Sequence, residues 1–270
     1  MNTVEKLIKK YAEIFSNIQN RPKWAVKKSG SEELVHPSIP FVGKSYDETK
    51  ILLYASAENL KDYSGWIDDD KKAINRHRIW FAEHSENKFF PNVHIKPMNN
   101  GGLVNVIGYV AMKTFPDFRF STPYELLEGV SFANFGKFSI EVNEGGTNID
   151  QAGDYCKLEK SLEYIKADLD ILKPELLIMP YTIYEHSLIR EIFENQYSGI
   201  KVITIYQLHH FNINGNDRLK KFEKKDKTKI GILADWQDHF GKGLTGKTND
   251  NFFSFYTYLD KQMLKTELFA

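Results

Sequence analysis

Four short apolar runs constrain the fold of this chain more than any other feature: KILLYA (50–55), GVSFANF (129–135), ELLIMPY (175–181) and KVITIYQL (201–208). Each is near-continuous in apolar or β-branched residues, the signature of strands covered on both faces, as in a parallel sheet. Between them lie helical stretches, clearest at CKLEKSLEYIKADLDIL (156–172) and YEHSLIREIFENQ (184–196). Strands alternating with helices predict right-handed βαβ crossovers in a doubly wound α/β sheet. NNGGLVNVIGYVAMKTF (99–115) reads as a Gly-led helix entry, and the segment from 230 on reads as an edge strand and a closing helix.

The chain has 270 residues, enough for a single domain with a substantial core. Val4, Leu7, Ile8, Tyr11, Phe15 and Ile18 recur at helical spacing with charges between them, so the first 35 or so residues are expected to form a helical region ahead of the first strand. That start is amphipathic and unlike a signal peptide, and no stretch is long and apolar enough to span a bilayer. A soluble, monomeric, cytoplasmic protein with no membrane contact is the expectation. The single cysteine, Cys156, excludes an internal disulfide and any site built from several thiolates. Lys plus Arg and Asp plus Glu both number 36, so no global field steers the chain onto a polyanion. A local basic run, RLKKFEKKDKTK (218–229), is the one candidate surface, with Arg218, Lys220, Lys221 and Lys224 at its start; a solvated face is the plainer reading of it.

In open parallel sheets, ligands bind beyond the carboxyl ends of the strands. The residues leaving the four predicted strands are 56–60, 134–139, 181–184 and 209–212. Three of these ends carry side chains suited to chemistry or base recognition: Glu58 with Asn59, then Asn134, then His209 with His210. The other histidines, including His77, His186 and His239, show no metal-ligand spacing, and no metal or cofactor is expected.

The order of these elements resembles the uracil-DNA glycosylase superfamily. AENL (57–60) stands in the place of that family's G-x-N-P loop, SFANFGKFSI (131–140) resembles its second strand end, and ITIYQLHHFN (203–212) lies where its HPS motif would stand. The resemblance implies a three-layer α/β/α sandwich around a mostly parallel four-stranded sheet, and a base-excising activity on DNA. It puts the water-positioning role on Asn59 or Glu58, the base-reading role on Asn134, and stabilisation of the leaving base on His209 or His210. Ala57 and Leu60 replace the family's Gly and Pro, and His210 and Phe211 replace the Pro and Ser of HPS. Cys156 falls on a cysteine of the cluster-bearing members, but Phe138 stands where a partner would be, so no iron-sulfur cluster is expected. HPSIPFVG (36–43) has the familiar letters ahead of the first strand, a position that makes it a turn.

A glycosylase of this kind must extrude a nucleotide and hold its base in a fitted pocket. Asn134 offers a donor and an acceptor to one base edge. Tyr63, Trp66, Phe89 and Phe90 are candidates for stacking, Phe211 and Ile213 for wedging into the vacated position, and the basic run for gripping phosphates. Two other classes remain open at this point: a glycosylase-fold protein that binds nucleic acid or nucleotide without catalysis, and a small-molecule hydrolase using Glu58 with a histidine.

Overall fold

The computed structural model describes residues 1–17, 19, 21–57, 68–83, 102–140, 158–205, 219–240 and 251–266. It is an α/β fold built on one five-stranded sheet. The strands are β1 (Phe41–Val42), β2 (Ile51–Ala57), β3 (Ser131–Gly136), β4 (Leu176–Pro180) and β5 (Lys201–Ile205), in the order β1-β3-β2-β4-β5. Each of the four apolar runs supplies one strand, and these four run parallel to one another. The sheet is mixed and not four-stranded, because β1 adds an antiparallel edge, pairing Phe41 with Phe132 and Val42 with Ser131.

The helices are α1 (Thr3–Ser16), α2 (Tyr46–Thr49), α3 (Asp70–Glu83), α4 (Gly102–Thr114), α5 (Pro123–Glu128), α6 (Leu162–Leu172), α7 (Tyr181–Tyr184), α8 (Ser187–Gln196), α9 (Ile232–Phe240) and α10 (Asn251–Lys265). The edge strand expected after residue 230 is absent among the described residues. That segment is helical instead, with Ile230, Leu233, Ala234 and Trp236 buried at helical spacing. Among the described residues no helix is long and apolar enough to cross a membrane.

Strand alternation divides the core in two. Ile51, Leu53, Phe132, Ile178 and Ile203 pack with Val106 and Val110 of α4, Leu233 of α9, and Phe255 and Leu259 of α10. On the other face Leu52, Tyr54, Ala133, Phe135, Leu177 and Met179 pack with Leu7 and Tyr11 of α1, Ile165 and Leu169 of α6, and Ile189 and Phe193 of α8. β3 and β4 are buried at every position, as strands covered on both sides must be. Helix α1 starts on a reciprocal capping box between Asn2 and Glu5 and lays Leu7, Tyr11 and Ile14 against the second core.

The topology contains a reversal of winding. The connection leaving β2 runs through α4 on the first face, whereas those leaving β3 and β4 run through α6 and α8 on the second. The winding reverses beside β2, so the switch point lies between the carboxyl ends of β2 and β4. Their ladder pairs only Ile51–Leu53 with Leu176–Ile178. It stops four residues before β2 ends and two before β4 ends, whereas β2 stays paired with β3 out to Ala57 and Gly136.

Candidate functional site

Asn134 lies on β3 opposite Ala55 of β2, near the carboxyl end of both strands, and is only 6% exposed. Its neighbours Ala133 and Phe135 belong to the second core, so alternation puts its side chain on the face of Phe132 and α4. A small apolar pocket sits on that face, lined by Leu53, Ala55, Phe132, Leu103, Val104 and Ile107. The last three belong to the first turns of α4, so the amino end of this helix, where its dipole is positive, stands beside the carboxyl half of β2. An amide buried in a largely apolar strand carries a desolvation cost that hydrogen bonding offsets. Asn134 lies one strand from the switch point.

Of the residues singled out in the sequence, Glu58, Asn59, Tyr63, Trp66, Phe89, Phe90, Cys156, His209, His210, Phe211, Ile213 and Arg218 lie outside the described residues. Lys220, Lys221 and Lys224 are described and exposed. They lie in an irregular stretch followed by a single 3-10 turn, Lys227–Lys229, capped by Asp226. Lys221 Nζ lies 5.4 Å from the Phe222 ring centroid. Lys225 faces inward, ion-paired with Asp260 of α10 and 5.5 Å from the Tyr109 ring, so it braces the loop against α4 and α10. The HPS letters at 36–38 lie in a buried segment without regular structure and not in the expected turn: Ser38 Oγ donates to the Ile39 carbonyl at 3.1 Å, and Arg76 Nη1 donates to the His36 carbonyl at 2.7 Å. Phe138 is buried edge-on against Tyr164.

One polar cluster goes unseen in the sequence. Asp168 of α6 is fully buried and accepts from Tyr11 Oη at 2.7 Å, Tyr54 Oη at 2.9 Å and Lys137 Nζ at 2.8 Å. Lys137 directly follows β3; its backbone N–H donates to Ser161 Oγ at 2.8 Å, and its ammonium lies over the Tyr11 and Tyr54 rings at 5.6 and 5.4 Å. Burial pushes the Asp168 carboxyl above the usual carboxylate range, against the pull of Lys137 and of the hydrogen bonds it accepts. Burial also holds both tyrosines well above their ordinary value. All four side chains are enclosed, so the cluster joins α1, β2, the end of β3 and α6 without meeting solvent. The signal was present: Asp168 falls on the apolar stripe of Tyr164, Ile165, Leu169 and Leu172, and Lys137 interrupts an apolar strand end.

His36 is also strongly perturbed. Its Nδ1–H donates to the Pro37 carbonyl at 2.9 Å, its ring lies 4.4 Å from that of Phe15, and burial lowers its pKa to about 4. It sits below α1, ahead of the sheet, and has a structural setting. Among the described residues no group of three His, Cys, Asp or Glu side chains converges as a metal site would. Comparison of the chain with protein-family models and with curated proteins finds no match.

Proposed function

We propose that the protein binds a nucleobase at the carboxyl ends of β2, β3 and β4, and that it is a divergent uracil-DNA glycosylase-like enzyme with a layered α/β/α fold. The observation that carries this reading is Asn134: a buried amide at the carboxyl end of β3, on the α4 face, next to the place where the β2–β4 ladder stops. An amide edge is the minimal device for reading a pyrimidine, because it pairs one donor and one acceptor with one base edge.

The chemistry follows the roles that the resemblance implies. Water attacks C1′ of the sugar, oriented by Asn59 or deprotonated by Glu58, while the N-glycosidic bond breaks and its electron pair leaves with the base. His209 or His210 donates to the base oxygen as negative charge develops there. A preorganised donor of this sort contributes about 3–4 kcal/mol. The positive end of α4 favours the same charge. Lys220, Lys221 and Lys224 hold the phosphodiester backbone, and the neutral chain as a whole makes that grip a local, salt-sensitive one.

The test is direct. Single-stranded and mismatched uracil oligonucleotides are incubated with excess protein, and abasic sites are then cleaved with alkali. Scission that disappears in the Asn59→Ala/His209→Ala/His210→Ala variant is expected. No scission with the wild-type chain, or scission that survives the triple substitution, sinks the reading. Salt-sensitive binding without scission would move the protein to the non-catalytic class.

A further inference from the structure

The residue that leaves β4 at the switch point is Tyr181, and it is 40% exposed. Met1, Leu188 and Leu264 are the other large apolar side chains that stand exposed among the described residues, so Tyr181 is the aromatic one. Aromatic side chains supply the largest stabilisation when buried, so a tyrosine ring held out of the core has a local cause.

The turn that presents Tyr181 is fixed from both sides. Pro180 closes β4 with its φ held near −60° and is paired with Ile205 of β5. Ile183, two residues on, is fully buried in the second core. Backbone bonds from Glu185 N–H to the Tyr181 carbonyl (3.0 Å) and from His186 N–H to the Ile183 carbonyl (3.2 Å) close the turn. The backbone at Tyr181 is therefore set by its neighbours while the ring stands outside the core. Across the switch point β2 offers the small residues Ala55 and Ser56, both partly exposed. A flat, partly exposed ring on a rigid support at the carboxyl end of β4 suits a planar ligand, because a tyrosine with two side-chain torsions is ordered at low entropic cost.

We propose that Tyr181 stacks on the ring of the ligand bound at the switch point, a planar heteroaromatic ring of the nucleobase class, and so makes the site select ring-bearing ligands over bare phosphodiester. This rests on the base-binding reading above and adds a residue to it.

The experiment measures dissociation constants of the wild-type chain, Tyr181→Ala and Tyr181→Phe for three probes. These are a short single-stranded oligonucleotide with one uracil, the same strand with a tetrahydrofuran abasic analogue, and uridine monophosphate. Tyr181→Ala should weaken the uracil strand and the nucleotide about tenfold or more, Tyr181→Phe should bind like wild type, and the abasic strand should be indifferent to both. Equal weakening of the uracil and abasic strands, or no weakening at all, overturns the inference. Uracil excision by the wild type that Tyr181→Ala leaves intact in both rate and affinity overturns the stacking role but keeps the glycosylase. Tyr181-dependent nucleotide binding without excision keeps the stacking role and removes the glycosylase. No binding of any probe by the wild type removes both.

Discussion

Asp168 shows how much a single residue carries in this fold. Three donors from three separate elements converge on its carboxylate, and Asp168→Ala strands the Lys137 ammonium and two phenols in the core. Breaking a buried pair from one side typically costs about 3–5 kcal/mol, and that loss is the expectation in chemical denaturation. The paired replacement Asp168→Leu/Lys137→Met should cost less than Asp168→Ala alone, since it leaves no uncompensated charge. His36 gives a pH dependence of defined sign. Its folded pKa of about 4 lies below the unfolded value of about 6.5, so the unfolded state takes up the proton first on acidification. The contribution is complete above pH of about 6.5 and falls by about 3 kcal/mol as the pH drops to about 4. Denaturation midpoints of wild type and His36→Gln across that range should converge at the acidic end.

At the scale of elements, α1 tests whether the first helix belongs to the core. Leu7 is fully buried among residues of α6 and the sheet, so Leu7→Ala should cost about 2–5 kcal/mol. Glu5→Ala removes only one arm of the capping box and should cost about 1 kcal/mol. The turn after β1 is equally specific: a Cβ on Gly43 would fall 2.2 Å from the Glu128 carbonyl oxygen, so Gly43→Ala must displace backbone and lower the melting temperature. The four parallel strands were legible because both of their faces are covered and apolar runs record that directly. β1 was not, since two residues among prolines carry no period and their strand character comes from pairing with β3. The run after 230 misled for a related reason. Over so few residues a buried strand and a buried helix look alike, and only packing of Leu233 and Trp236 against α4 and α10 decides between them.

For the whole molecule, the winding reverses beside β2, and the sequence pointed to the carboxyl ends of the strands as the place to look for a ligand. Asn134 was legible as a polar residue at the end of an apolar run, and it is buried on β3 opposite Ala55. Asp168 on the apolar stripe of its helix and Lys137 at an apolar strand end were each legible, but that they pair depends on contacts distant in sequence, and the outward setting of Tyr181 depends on the packing of the following turn. The neutral chain carries its one basic run on the flank of α4 and α10, so DNA affinity should fall steeply between 50 and 200 mM salt only in step with the few phosphates contacted. Lys220→Ala/Lys221→Ala/Lys224→Ala should lower the slope of log affinity against log salt by about 2–3 without changing base preference. The measurement that tests the central claim most directly is single-turnover excision from a uracil-containing single strand by wild type and by Asn134→Ala, with the fold of each checked by circular dichroism. The account predicts abasic sites with the wild-type chain and a loss of about a hundredfold or more with the variant. A folded Asn134→Ala protein that excises uracil at the wild-type rate, or a wild-type protein that releases no base at large enzyme excess, would contradict it.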